Sequence, residues 1–262
     1  MPKGEKMETY VLITGASSGL GADFARRYAM EGKNLILTAR RLDRLEELKT
    51  EIEAKYSVKV EVISADLSSI AGRKIIIRQC LGRVGILVNN AGFGIGSTFE
   101  STPYPRVQEL IDVNISAVSE LCHAFIPEMK ARGEGSILNI ASMAGFTAGP
   151  YMAAYYASKA FVLSLSEALH EELLPFNVHV VAVCPGPTLT EFFDHTGPKR
   201  ALGQNLFLMN SDDVVRQAIR DAKRNKAIAI SGFRNQFLHF LTIVLGRRVA
   251  RKSVAKIQGS RQ

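Results

Sequence analysis

The stretch Thr9–Gly21, TYVLITGASSGLG, decides the fold. Its first half, Thr9–Thr14, is a short run of β-branched, aromatic and aliphatic residues, which reads as a buried strand. Thr14-Gly15-Ala16-Ser17-Ser18-Gly19-Leu20-Gly21 then turns and enters Leu20–Glu31, whose apolar residues recur at helical spacing. Glycines permit a tight turn and close approach of another backbone, and the first amides of a helix have no intrahelical acceptor. Strand, glycine turn and helix start together therefore form a cradle for a phosphate. The spacing is Gly-x3-Gly-x-Gly rather than Gly-x-Gly-x2-Gly, and taken alone it would also suit an ordinary strand-to-helix turn.

Outward from this turn the pattern is alternation. Strand-like runs follow at Asn34–Thr38, Val58–Ser64, Ile86–Val88, Ser136–Ile140, Val178–Val183 and Ala227–Ile230. Helical spacing occupies Leu42–Tyr56, Pro105–Arg132 and Met152–Leu174, and Asp43 with Glu46 suggests a capping box at the second helix. Strands separated by helices imply parallel βαβ crossovers with helices on both faces, so the strands read as continuous apolar runs. The expectation is an α/β, Rossmann-type, doubly wound parallel sheet of about seven strands in a single domain over residues 1–262. The irregular stretch 187–212 reads as a substrate lid, and 234–262 as a basic helical extension.

In such sheets ligands bind at the carboxyl ends of the strands. Gly15, Ser17, Ser18, Gly19, Leu20 and Gly21 are the candidate pyrophosphate cradle. An NAD site places an acid about twenty residues further on, at the end of the second strand, to take the ribose hydroxyls. Here that strand ends in Ala39-Arg40-Arg41. A carboxylate would repel a 2′-phosphate, whereas guanidinium grips it, so Arg40 and Arg41 point to NADP(H). Asp66-Leu67 suits an adenine edge or a helix cap. Asn90, Ala91 and Gly92, after the fourth strand, would let backbone lie against a ribose.

Tyr155 and Lys159 are four residues apart at the start of a predicted helix and so share a face. A free phenol titrates near about 10, and an ammonium beside it favours phenolate, bringing it toward the range of a general acid/base. Tyr151 and Tyr156 lack such a partner at the same spacing. Ser142, ending the fifth strand, can steady a carbonyl oxygen. Asn114 falls inside a helical stretch, where its alternative reading is a kink or packing residue.

Gly15-x3-Gly19-x-Gly21, Asn89-Asn90-Ala91-Gly92, Asn114, Ser142, Tyr155-x3-Lys159 and Pro185-Gly186 together resemble the short-chain dehydrogenase/reductase family, over about Tyr10 to Glu191. A finer likeness is to a bacterial branch of loosely defined short-chain reductases. The resemblance implies that Tyr155 exchanges a proton with the substrate oxygen and that Lys159 lowers the phenol's pKa and holds the nicotinamide ribose. It further implies that Ser142 orients the substrate and that Asn114 anchors a water in a proton relay. Pro185, Gly186 and Thr188 would line the nicotinamide. The implied activity is hydride transfer between NADP(H) and a carbonyl or alcohol carbon, and the implied assembly is a homodimer or homotetramer through the helices Pro105–Arg132 and Met152–Leu174. The alternatives are an NAD(H)-dependent alcohol dehydrogenase of the same family and a non-catalytic NADP(H) sensor.

Phe93, Ile95, Phe146, Met152, Phe192 and Phe193 suggest an apolar substrate pocket or simply core. Three scattered cysteines fit neither a disulfide framework nor a zinc site, so a reducing cytoplasmic setting is expected. The five histidines show no metal-ligand spacing, and no run approaches a membrane span. The net charge of +8 is uneven: residues 214–262 hold twelve Lys or Arg against Asp221 alone. There, Gln236–Gly246 is apolar and is followed by a basic stretch. This tail suits subunit packing, peripheral contact with an anionic membrane, or an anionic partner. No nucleic-acid-binding module accompanies the charge.

Overall fold

Seven strands alternate with helices in the computed structural model, which describes residues 8–188 and 208–259. β1 (Tyr10–Thr14), β2 (Asn34–Ala39) and β3 (Val60–Ser64) lead into α1 (Gly19–Met30), α2 (Leu42–Lys55) and α3 (Ile70–Cys80) respectively. β4 (Val84–Asn89) is followed by α4 (Tyr104–Ile111) and α5 (Ala117–Arg132), and β5 (Gly135–Ile140) by α6 (Ala153–Leu173). β6 (Val178–Cys184) precedes α7 (Ser211–Lys223), and β7 (Ile228–Ile230) precedes α8 (Phe233–Gly259). The strands form one parallel sheet in the order β3-β2-β1-β4-β5-β6-β7. The chain builds outward from β1 to β3 and then resumes on the other side at β4. That reversal opens a crevice beyond the carboxyl ends of β1 and β4.

Alternation along β1 serves two cores. Leu12 faces a layer completed by Ile76 of α3, Phe125 of α5 and Val162 of α6. Val11 and Ile13 face the opposite layer, with Phe24 and Tyr28 of α1, Leu45 of α2 and Val215 of α7. Fully buried side chains of this size each stabilise the fold by about 1.5–3 kcal/mol. With helices on both sides of the sheet, Ile13 pairs with Leu37 of β2 and Val88 of β4, fixing the register beside the crevice.

All seven predicted strands are present. The predicted helix Pro105–Arg132 is interrupted by one wider π turn at Asp112–Ser116, which holds the buried Asn114. Such turns insert an extra residue and re-aim a side chain. The expected capping box is not formed: α2 starts at Leu42, with Arg41 at the cap and no side-chain cap bond. Asp43 sits instead inside the first turn, where its charge complements the helix dipole. Residues 189–207, most of the predicted lid, lie outside the described residues. The stretch's last residues begin α7, where Asn210 accepts the amide of Asp212. Of the predicted basic extension, 234–259 is helical as α8 apart from a break at Gly246, and residues 260–262 lie outside the described residues.

Candidate active site

A cleft of about 580 Å³ lies over the carboxyl ends of the strands. Of the predicted site residues, only Gly21 and Asn114 are absent from its lining. Its floor is built by the glycine turn. A Cβ on Gly15 would lie 2.9 Å from the Cα of Ala91, and Gly15 has a φ of +65°. A Cβ on Gly21 would meet the Gly15 carbonyl at 2.2 Å. Both positions must therefore be glycine for the turn to lie against Asn90 and Ala91. Ser18, which precedes α1, makes no side-chain cap bond, so that hydroxyl leaves the helix's first amides to another acceptor.

Thr14, which the sequence reading passed over, ties the two strand ends together. Its hydroxyl accepts the amides of Asn90 and Ala91, both at 3.0 Å. The side-chain amide of Asn90 in turn donates to the carbonyls of Thr14 at 2.9 Å and Gly15 at 3.2 Å. Only a β-branched hydroxyl at the end of an otherwise apolar strand hints at this role.

At the end of β2 the two arginines diverge. Arg41 donates to the hydroxyls of Ser17, at 3.1 and 3.2 Å, and Ser18, at 2.9 Å. Arg40 is largely exposed and pairs with Glu109 of α4 at 3.5 Å. β2 itself ends without an Asp or Glu, Glu109 arriving from α4 to pair with Arg40, and the Arg41 cation and the serine hydroxyls converge on one wall. Asp66 closes a local turn by accepting the amide of Ser68, and Ser69 provides the cap of α3. Uncapped amides, a cradle that added Cβ atoms would fill and a guanidinium over two serines together fit the phosphates of a dinucleotide.

At the other end of the cleft, Ser142 follows β5 and its hydroxyl accepts the amide of Ala144 at 3.1 Å. It also hydrogen-bonds Tyr155, in the first turn of α6. Burial pushes the Tyr155 phenol up to about 12, against the pull of the Ser142 hydroxyl. Burial likewise lowers the Lys159 ammonium to about 8. This differs from the expectation that Lys159 draws the phenol down. The ammonium donates to the carbonyl of Ile140 at 2.7 Å and lies 5.8 Å from the Tyr155 ring centroid, so dehydration dominates both groups.

Asn114 is buried behind the cleft. Its side chain clamps the backbone of Phe93, accepting from the amide at 3.1 Å and donating to the carbonyl at 2.9 Å. It also donates to Ser158 on α6 at 3.0 Å. Pro185, Gly186 and Thr188 line the far wall. A Cβ on Gly186 would come within 2.4 Å of Asn235, a buried residue of α8 that sequence reasoning missed. Gln258, near the end of α8, also lines the cleft, with its amide 3.4 Å from the Tyr156 hydroxyl. Phe93 and Met152 of the expected apolar pocket are in the lining, whereas Phe146 packs on His239 at 4.0 Å. Ile95 is not in the lining; Phe192 and Phe193 lie outside the described residues.

Comparison with known proteins agrees with this geometry. The profile of the short chain dehydrogenase family matches residues 9–201. The chain is similar to a sulfoacetaldehyde reductase of Chromohalobacter salexigens, 34% identical over 80% of this chain and 87% of that protein. Among solved structures it resembles a short-chain dehydrogenase from Sphingobium yanoikuyae in complex with NADPH. That match has a TM-score of 0.81 and 37% identity, over 85% of this chain and 87% of the other. A bulky-bulky ketone specific alcohol dehydrogenase from Comamonas testosteroni superposes with a TM-score of 0.77 and 32% identity, over 90% and 93%.

Proposed function

The chain belongs to the short-chain dehydrogenase family, and on that premise we propose that it is an NADP(H)-dependent oxidoreductase acting on a hydrophobic carbonyl or alcohol. The observation that carries this reading is the placement of Arg41 across Ser17 and Ser18 at the end of a strand, β2, that itself ends in no Asp or Glu. That wall would bind a 2′-phosphate by charge-assisted bonds, where an acid would repel it. Arg40, shared with Glu109, adds positive charge at the rim.

When bound, the nicotinamide supplies or accepts the hydride. The first amides of α1, with Ser17, Ser18 and Leu20, would hold the pyrophosphate. Asp66 and Leu67 would border the adenine, and Asn90, Ala91 and Gly92 the ribose. Pro185, Gly186 and Thr188 would wall the nicotinamide. Ser142 and Tyr155 offer two hydroxyls to one substrate oxygen, and Tyr155 passes its proton to that oxygen in reduction and removes it in oxidation. Lys159 brings positive charge to the phenolate left behind and to the ribose hydroxyls. Asn114 acts at one remove, fixing Phe93 and Ser158 and so the distance between the β4 loop and α6. Phe93 and Met152 in the lining support an apolar substrate. The reading includes a single cytoplasmic domain that assembles as a homodimer or homotetramer through α4, α5 and α6.

Titrations of NADPH and NADH against wild type, Arg41→Ala and Arg40→Ala test the reading. NADPH should bind tighter by roughly ten- to a hundredfold, the scale of one hydrogen bond to a charged group. Arg41→Ala should erase most of that gap and Arg40→Ala a smaller part. Equal affinity of the wild type for the two cofactors overturns it.

A further inference from the structure

Helix α8 is inside out over its first half. Phe233, Phe237, Phe240 and Val244 recur at intervals of four, three and four residues, forming one stripe along three turns. That stripe faces outward: Phe237 is 54% exposed, Phe240 58% and Val244 63%. Ile243 flanks it at 66%. The face turned to the protein includes polar groups beside Leu241. Asn235 is 2% exposed and donates to the Ser231 carbonyl, and His239 packs on Phe146. A helix that buries an amide, turns its imidazole inward and exposes its phenylalanines is built for an apolar medium on its outer side.

At Gly246 the helix breaks. Its φ of +75° and ψ of +161° are non-helical, and the positive φ is one that a side chain resists. Beyond the break come Arg247, Arg248, Arg251, Lys252 and Lys256, all exposed, and the whole of Phe233–Gly259 contains no Asp or Glu. Pairing this face with a second copy would bring the cations of both helices to one interface with no carboxylate from either. Anionic lipid answers both halves at once, acyl chains taking the aromatic stripe and headgroups the basic segment. No helix among the described residues is long and apolar enough to cross a bilayer, so the contact is peripheral.

We propose that α8 docks the protein on anionic membrane surfaces, its Phe233–Val244 stripe entering the interface and its Arg247–Lys256 segment binding headgroups. The same helix packs Asn235 against Gly186 and contributes Gln258 to the cleft, so the docking element is part of the active-site wall.

Co-sedimentation of the full chain with phosphatidylcholine vesicles, with and without about one-third phosphatidylglycerol, tests this at low and high salt. The wild type should bind the anionic vesicles at least about tenfold more tightly than the neutral ones, and more weakly in high salt. Phe237→Ser/Phe240→Ser/Val244→Ser should abolish binding. Arg247→Gln/Arg248→Gln/Arg251→Gln should weaken it about a hundredfold or more, three cations being removed. Circular dichroism and sedimentation velocity establish that each variant is folded and report its assembly state. Absence of binding to anionic vesicles at low salt overturns the proposal, as does binding that survives the apolar triple substitution. An oligomer that the apolar substitutions dissociate, without any lipid binding, assigns the stripe to a second copy and also overturns it.

Discussion

Lys159 donates its ammonium to the carbonyl of Ile140 at 2.7 Å, joining α6 to the end of β5 two residues before Ser142. One bond thus fixes the relative positions of the hydroxyl on the strand end and the phenol on the helix. The lysine accordingly has a structural task besides any chemical one, and its dehydration makes it responsive to pH.

Replacing Lys159 by Met should reveal that response as a stability difference. Burial lowers the folded-state ammonium to about 8, below its unfolded value of about 10.5. Below pH 8 both states are protonated, so the folded protein bears the full cost of the buried charge. Between about pH 8 and 10.5 the unfolded state holds more protons, and stability rises with pH. Relative to Lys159→Met, the wild type should gain on the order of 2–3 kcal/mol between pH 7 and 10. Urea denaturation of both proteins at the two pH values measures it; a constant difference would contradict the dehydrated ammonium.

Tyr155→Phe separates proton transfer from binding. The ring and its packing remain, and only the hydroxyl shared with Ser142 is lost. Turnover with an NADPH-driven carbonyl substrate should fall by about 10²–10⁴. Cofactor affinity, followed by nucleotide fluorescence, should change less than about threefold. Retained turnover would show that the phenol is not the proton donor.

Much of this arrangement was legible along the chain. The Thr9–Gly21 stretch, the seven apolar runs and the Tyr155–Lys159 spacing are local patterns, and periodicity and turn chemistry reveal such patterns directly. What escaped is what the fold brings together from far apart. Thr14 gains its role only because Asn90 arrives just past the end of the neighbouring strand. The buried run from Asn89 to Asn139 to Ser166 joins two strands and a helix, and no spacing announces it. Arg40 and Arg41 look alike as sequence, yet Glu109, brought alongside by α4, draws Arg40 away from the serines that hold Arg41. Gln258 reads as an ordinary polar residue near the end of the chain, and only the path of α8 places it in the cleft.

Gly21→Ala probes the cradle from a residue that is itself outside the cleft lining. The new Cβ would stand 2.2 Å from the Gly15 carbonyl and 2.6 Å from the Asn90 side-chain amide, so the turn must shift. A stability loss of about 1–3 kcal/mol is expected from such overpacking. Dinucleotide affinity should fall as well, because Gly15 and Asn90 move with the turn. Thermal unfolding and NADPH titration measure the two effects. Unchanged affinity in a destabilised variant would confine the role of Gly21 to packing.

The loop at the end of β3 should depend on a cation held beneath it. Arg73 of α3 is 5% exposed, donates to the carbonyls of Leu67 and Ser68, and pairs with Glu120 of α5. Two of its bonds therefore hold the backbone beside Asp66 and Leu67 in the cleft wall. Glu120→Ala leaves that guanidinium buried with carbonyls but no counter-charge, a loss expected to cost about 3 kcal/mol. Arg73→Met with Glu120→Ala removes both charges and should recover part of the stability while leaving the two carbonyls unbonded. The double variant should consequently still bind NADPH more weakly than wild type, whereas its unfolding midpoint should exceed that of Glu120→Ala alone. Denaturation and NADPH titration of the set distinguish the two effects; wild-type affinity in the double variant would show that the loop holds its shape without Arg73.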